Sequence, residues 1–391
     1  MTCADKKRVL ILDGMWNKSL AVVRSFGKRG FFVAAGEKTR FATALFSKYC
    51  SRRIVYPSPV EKSAGFLDWL EAELKEYRYD VIFPTELSTQ NLLTEHSGRF
   101  ARYCKIPFAD TALCMKLQDK AFLMEYARQK KLDIPLTRIV HDLSGLDKLK
   151  NKLDFPVVIK PRASSGSRGI VYVKNRKDFA ESYCKVHNTY PFPIIQEYIP
   201  KGGGGAIGVC LLLNNESEVW ASFVYRRLRE YPVEGGPSTL RESIKRDDVK
   251  NIAESILRDF RWTGVAHVEF IIDPRDGKPK LLEVNPRFWG SLQLAIEAGV
   301  DFPYLLYQLA VKGDVEPVHD YRTGVMCRFV VPGDLLHFLY NPDRFKMKPG
   351  FFNMTIKDDI FSLKDPLPLL GRVSSVFSFL SDREMRGIIR R

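Results

Sequence analysis

The 391-residue chain has no CxxC pair, no internal repeat and no GxxxxGK[ST] stretch. Its seven cysteines, at positions 3, 50, 104, 114, 184, 210 and 327, are odd in number and widely spaced. This excludes a disulfide framework, and it fits reduced, mostly buried thiols in a cytoplasmic protein. The missing GxxxxGK[ST] excludes a P-loop. No apolar run approaches the ~20 residues of a membrane span. The front of the chain, MTCADKKRVLILDGMW, holds a short apolar run, Val9 to Leu12, that Asp13 interrupts. It reads as a first β-strand and not as a signal peptide.

Acidic residues are few. Against 61 Lys and Arg stand 46 Asp and Glu, a formal charge of +15. Residues 1–60 hold 12 Lys/Arg and 3 Asp/Glu, so nine of those positive charges lie at the front. Such a charge admits nucleic acid, acidic lipid or small anions as partners. Neither a zinc-finger spacing nor an RNP-like strand accompanies it, so no specific nucleic-acid partner is expected.

What is present is a well-filled globular composition, 45% hydrophobic and 12% aromatic, on a length that favours two or three domains. Over the first hundred residues strand and helix signals alternate. Arg8–Leu12, Phe31–Ala35 and Asp80–Phe83 read as buried strands, and Lys18–Gly27 and Phe66–Tyr77 as helices. Alternation of this kind predicts a parallel sheet. The turns after such strands, Asp13-Gly14 and Thr85-Glu86, are places where ligands bind, although ordinary turn chemistry explains them equally well. From Asp110 the pattern changes to a helix over Lys116–Lys131, strands at Val157–Ile159, Ile170–Val173 and Ile194–Ile199, and an antiparallel pair, Val209–Leu213 and Trp220–Tyr225, around Asn214-Asn215. A helix at Val249–Phe260, two strands and a further helix carry the chain to about residue 312. The last seventy residues hold short apolar pieces, Leu335–Leu339 and Val376–Leu380, among Pro, Gly and basic residues. With the basic run Arg386–Arg391, they could serve as a peripheral membrane or partner segment, but packing onto the core is the favoured reading.

The strongest chemistry lies in GVAHVEFIIDPRDGKPKLLEVNPR, residues 264–287. Two strand-like runs flank the turn-rich 273–279. If Glu269 faces Glu283, the midpoint is position 276, the centre of the turn run. Two carboxylates directly opposite each other on a sheet repel unless a cation lies between them. With the amide of Asn285, two residues along the same face, they make a hard oxygen set suited to Mg²⁺ or Mn²⁺ and hence to a nucleotide phosphate. Arg287 follows two residues later and can neutralise charge on a transferred phosphoryl group. His267 shares the face of Glu269 and reads as a structural hydrogen-bonding group. Lys160 closes an apolar strand next to the small-residue loop Ser164, Ser165, Gly166, Ser167, Gly169, a donor-rich segment that can close over phosphate. Gly203, Gly205 and Gly208 satisfy G-x-G-x-x-G, but a strand-like run follows where a dinucleotide fingerprint needs a helix.

The ordered set Lys120, PVVIKP, SSGSRG, QEYIP, VEF and LLEVNPR resembles the ATP-grasp superfamily over roughly residues 110–315, in the branch similar to carbamoyl phosphate synthase and ATP-dependent carboligases. The resemblance implies an α/β and α+β architecture: a Rossmann-like pre-ATP-grasp domain (1–109), an ATP-grasp domain of two α+β subdomains (110–318) and a C-terminal extension packing on the core (319–391). It implies ATP with Mg²⁺ or Mn²⁺ as cofactors. Lys120 and Lys160 would contact the ATP phosphates, and Ser164, Ser165 and Gly166 would belong to the phosphate lid. Gln196 would sit near the adenine amino group, with the carbonyl of Glu197 and the N–H of Ile199 at the adenine edge. Glu269, Glu283 and Asn285 would hold the metal, and Arg287 with Lys160 would be catalytic. The acidic residue that often bonds the ribose is missing, because Gly202 to Gly205 stand in its place.

The implied reaction is ADP-forming ligation of a small carboxylic or amino acid to an amine (or thiol) through an acyl phosphate, with a homodimer allowed. In the stretch 225–243, Arg226 and Arg229 are the candidate clamp for the substrate carboxylate, since arginine pairs bidentately with such groups. Two other readings stay open at this stage: phosphorylation of bicarbonate or carbamate, and a basic nucleic-acid or membrane-surface protein with a retained ATP-binding fold.

Overall fold

The structure, a computed structural model, describes residues 6–381 except 165–167, 201, 203, 204, 234, 314 and 315, with side chains described as far as Ser375. The first section alternates β1 (Arg8–Ile11), α1 (Asn17–Gly27), β2 (Phe32–Glu37), β3 (Arg52–Val55), α2 (Ser63–Tyr77), β4 (Val81–Phe83), α3 (Leu87–Glu95) and α4 (Ser97–Phe100). The four strands form one parallel sheet in the order β3-β2-β1-β4. β1 is apolar on both faces because helices cover both, so Leu10 packs on one side with Phe66 and Leu70, and Ile11 on the other with Phe26. The order reverses beside β1, between β2 and β4. The turns after β1 and β4 therefore meet at this switch point, where Asp13 Oδ2 accepts the N–H groups of Thr85 (2.9 Å) and Glu86 (2.8 Å).

The central section follows with α5 (Thr111–Gln118), α6 (Lys120–Gln129), β5 (Thr137–Arg138), α7 (Leu146–Lys150), β6 (Val157–Lys160), β7 (Val171–Val173), α8 (Phe179–Thr189) and β8 (Ile194–Glu197). Its strands make a small antiparallel sheet, β5-β8-β6-β7. The single helix expected over Lys116–Lys131 is two helices. Asp119 interrupts it, because its extended backbone and its carboxylate, which accepts the Ala121 N–H at 2.9 Å, start a new helix there.

Then come β9 (Ala206–Leu213), β10 (Val219–Glu230), β11 (Ser238–Ile244), α9 (Asp247–Asp259), β12 (Gly264–Ile272), β13 (Pro279–Asn285), α10 (Leu292–Ala298) and α11 (Phe302–Lys312). The one helix expected after β13 is again two, because Gly299 at φ +116° ends α10 in the left-handed region. The remaining elements are β14 (Met326–Arg328), α12 (Leu335–Tyr340), β15 (Lys357–Asp358) and α13 (Pro368–Ser381). The large sheet runs β13-β12-β9-β10-β11-β14-β15, so the end of the chain supplies its last two strands. Buried ion pairs fasten this end to the rest: Arg24–Asp365 (2.9 Å), Arg229–Asp334 (2.7 Å) and Arg241–Asp359 (2.7 Å). The first joins α1 to the turn before α13, and α13 packs Gly371 against Phe46 so closely that a Cβ would sit 2.6 Å from the ring. Among the described residues every cysteine is unbridged, and only Cys184 is exposed.

Candidate active site

A cleft of about 160 Å³ opens between the small sheet and the large one. Val158, Ile170, Ile199, Ile271 and Leu282 give it an apolar lining, and Lys120, Lys160, Arg227, Glu230, Glu269 and Glu283 give it charge.

The carboxylates come from the β12–β13 hairpin. Its register places Glu269 opposite Glu283 and His267 opposite Asn285, as the midpoint argument expects. A bulge after Glu269 leaves Leu282 without a partner on β12, so Leu282 and Glu283 both line the cleft although they are neighbours in sequence. Each carboxylate meets one cation. Glu283 Oε2 lies 3.0 Å from Lys120 Nζ, and Glu269 pairs with Arg227. Burial alone would raise Glu283, but Lys120 and the Asn285 amide, which donates at 3.0 Å, hold it down at about 2. Glu269 goes the other way: burial raises it and the charge of Glu283 adds to this, against the pull of Arg227. Lys120 thus keeps Glu283 charged, while Glu269 is pushed toward its protonated form. Among the described residues no three His, Cys, Asp or Glu side chains converge. A metal here would be held by the two carboxylates and the Asn285 amide oxygen, with water or phosphate completing the shell. That donor set fits a hard divalent cation such as Mg²⁺.

The lysines are positioned from the facing side. The N–H of Lys120 donates to Arg162 O (2.9 Å), while Arg162 Nε donates to Asp119 Oδ1 (2.9 Å), so the start of α6 is fastened to the chain leaving β6. This brings Lys120, Lys160 and Ser164 to one place. Burial lowers the Lys160 ammonium to about 8, against the attraction of Glu283. Its Nζ donates to Gln196 Oε1 at 2.7 Å. Gln196 is fully buried and also donates to Thr137 Oγ1 at 3.0 Å, so its amide orients Lys160. Glu197 and Ile199 line the cleft, and the Glu197 carboxylate accepts the Leu136 N–H (2.8 Å) and an Arg275 N–H (2.8 Å). Ser165 and Gly166 lie outside the described residues.

The structure separates the two arginines chosen for the substrate clamp from the cleft. β10 runs on to Glu230, five residues past the strand read from sequence, and strand alternation then divides the arginines. Arg226 faces away and donates to Glu242, directly opposite it on β11, at 2.7 Å. Arg227 faces the cleft. Bulges on either side of Arg229 turn it out to the buried carboxylate of Asp334 and turn Glu230 in. Arg227 and Glu230 are therefore the charged residues of 225–243 that line the cleft and that the choice of Arg226 and Arg229 passed over. Tyr225 and His267, already placed on strands, would have supplied the parity.

Arg287 sits in a segment held by helices α1 and α3 of the first section. Gln90 Nε2 donates to Pro286 O (2.8 Å), Lys18 Nζ to Phe288 O (3.5 Å) and Asn17 Nδ2 to Gly290 O (2.9 Å). The guanidinium itself donates to Asn285 Oδ1 at 3.3 Å. Lys18 and Glu86 form an ion pair of 2.6 Å at the switch point, and the Arg287 charge acts on both. His267 is buried between the rings of Tyr225 and Trp289 and accepts or donates with Tyr225 Oη at 3.0 Å. Burial, aided by Arg227, pulls its pKa to about 3, so it is neutral and structural. Gly208 belongs to β9, and a Cβ there would lie 2.3 Å from the Tyr225 ring. The G-x-G-x-x-G stretch thus runs into a strand, not the helix a dinucleotide site needs.

Residues 212–330 match a family described as ATP-grasp in the biosynthetic pathway with Ter operon. The chain is 22% identical to the carbamoyl phosphate synthase large chain of Thermotoga neapolitana over 82% of its own length and 31% of the relative's. It is 22% identical to the D-aspartate ligase of Enterococcus faecium over 50% of each. It thus spans from a third to a half of the length of these relatives. In structure it is similar to the biotin carboxylase of Campylobacter jejuni, with a TM-score of 0.66, 16% identity, and coverage of 83% of this chain and 75% of that one.

Proposed function

Because the chain belongs to the ATP-grasp superfamily, we propose that it is an ATP-dependent, ADP-forming ligase that joins a small carboxylic or amino acid to an amine through an acyl phosphate. The observation that carries this reading is the pairing of Glu269 with Glu283 beside Asn285, in one cleft with Lys120 and Lys160. Glu269, Glu283 and Asn285 would hold Mg²⁺ (or Mn²⁺), which when bound screens the phosphate charge. Lys120 would turn from Glu283 toward the phosphate oxygens, and Lys160, still held by Gln196, would offer them its other N–H groups. Arg287, bonded to Asn285 in a segment held by α1 and α3, would stabilise charge on the phosphoryl group in transfer.

The γ-phosphoryl group leaves ADP and bonds to a substrate carboxylate oxygen. The amine nitrogen then attacks the carbonyl carbon, the C–O bond to phosphate breaks, and the released phosphate takes up the amine proton. The work of the protein is positioning and charge neutralisation, and neutral His267 is not needed as a base. Arg226 and Arg229 are left out of the substrate clamp because their partners lie elsewhere. Arg227, on the cleft side, is the arginine placed to act.

Screening amino acids and small carboxylates, with amines, for ADP formation tests the proposal. At least one acid should stimulate ADP release, and Glu283→Ala should abolish it. Turnover driven by bicarbonate with no organic acid would instead support carbamate or carboxyphosphate chemistry. No stimulation across a broad panel would sink the ligase reading.

A further inference from the structure

The segment from α12 to β15 carries an exposed aromatic surface that the cleft does not use. Phe338 is the hub. Phe351 stacks on it at 4.6 Å, and Phe345 and Phe352 meet it edge-on at 5.7 and 5.6 Å. Phe345 is 80% exposed, Phe352 72% and Met354 82%. Apolar side chains so bare project as tips and lie in no groove. Cations lie among them in sequence: Arg344 sits over the Phe345 ring at 5.4 Å, and Lys346 and Lys348 are exposed. The only acidic side chain between residues 340 and 357 is Asp343, in an exposed pair with Lys346. Surface pairs of this kind bind weakly and leave the lysine available. The surface is joined to the cleft-lining end of β10, where His337 Nδ1 bonds Glu230 O at 2.6 Å and Tyr340 packs on Tyr231 at 5.8 Å.

Projecting aromatics in a segment rich in exposed Lys and Arg complement the interface of an anionic bilayer. The rings enter at headgroup depth and the cations meet the lipid phosphates. A protein partner would need a pocket for each tip, whereas a bilayer accepts them without one. We propose that the surface formed by Phe345, Phe352 and Met354 with Arg344, Lys346 and Lys348 docks the protein on membranes containing anionic lipid. This goes beyond the ligase reading and does not depend on it.

Sedimentation of the full chain with vesicles tests it. The protein should pellet with phosphatidylcholine mixed with phosphatidylglycerol, pellet far less with phosphatidylcholine alone, and be released by salt. Lys346→Gln with Lys348→Gln should weaken binding by about fivefold per lysine. Phe345→Ser with Phe352→Ser should weaken it by about tenfold or more. Lys28→Gln with Lys312→Gln, exposed lysines away from the patch, is the control for the overall charge of +15. The proposal is overturned if the protein stays in the supernatant with the mixed vesicles, or if the control pair weakens binding as much as Lys346 and Lys348 do. Should the aromatic variant fail to fold, as judged by circular dichroism, the two lysine pairs still decide the matter.

Discussion

Lys160 is half-buried and holds its charge beside Gln196, whose amide also spans to Thr137. Replacing Gln196 with Leu removes an oriented acceptor from an ammonium group, a loss of about 1.5–3 kcal/mol for a hydrogen bond to charge. ATP affinity, measured by titration, is expected to fall by about tenfold or more, while the thermal midpoint moves little. Unchanged affinity would show that Gln196 does not position Lys160. A second residue-scale prediction concerns Glu37, which accepts the N–H groups of Met15 (3.0 Å) and Lys38 (2.8 Å) at the switch point. Burial, with Asp13 nearby, raises its pKa to about 7. The folded state then binds a proton that the unfolded state has lost between about pH 4.5 and 7. Stability from this group is therefore greatest at the acid end of that window and declines as pH rises, by up to about 1.4 kcal/mol per pH unit. Unfolding free energy measured against pH should show this decline, and Glu37→Gln should flatten it. A variant with an unaltered slope would refute the assignment.

At the scale of elements, the β9–β10–β12 strands are held in close register by a single glycine. A methyl at Gly208 would stand 2.3 Å from the Tyr225 ring and 2.6 Å from His267 Nε2. Gly208→Ala should therefore cost about 1–3 kcal/mol in denaturant unfolding through overpacking. It should also lower activity, because Glu269 shares the strand with His267. A neutral effect would mean the rings relax freely. Much of this element level was legible beforehand. Buried runs such as Arg8–Leu12 and DVIF, and the turn-rich 273–279, stated their structures locally, and the Glu269–Glu283 register followed from symmetry about the turn. The arginines of 225–243 were not legible, because bulges at Arg229 depend on pairing with β11 and on the carboxylate of Asp334, 105 residues away. Asp119 and Gly299 cut helices whose apolar spacing continues across the break, so periodicity alone overran both.

At the scale of the whole molecule, the basic front is tied down by the end of the chain. Asp365 accepts from Arg24 Nε (2.9 Å), Ser47 Oγ (2.7 Å) and the Lys48 N–H (2.9 Å). Asp365→Ala leaves Arg24 buried and unpaired, and should destabilise the protein by about 3–5 kcal/mol in denaturant unfolding. A change under 1 kcal/mol would show that the last segment is not integral to the fold. The surplus of positive charge in residues 1–60 also acquires a structural reading in part. Arg24 and Lys18 are buried with carboxylate partners, so not all of it faces solvent. None of these long-range pairs could be read from spacing, since Lys18 and Glu86 are 68 positions apart and Asp365 lies more than 300 from its partners.

The central claim is that a substrate carboxylate is phosphorylated before an amine displaces the phosphate. Oxygen-isotope transfer tests it most directly. An acid that stimulates ADP release is labelled with ¹⁸O in its carboxylate, and the phosphate formed is analysed by mass spectrometry. An acyl phosphate carries one carboxylate oxygen away with the departing group, so the account predicts labelled phosphate in step with ADP, and none with Glu283→Ala. Phosphate that forms with ADP but stays unlabelled would contradict it.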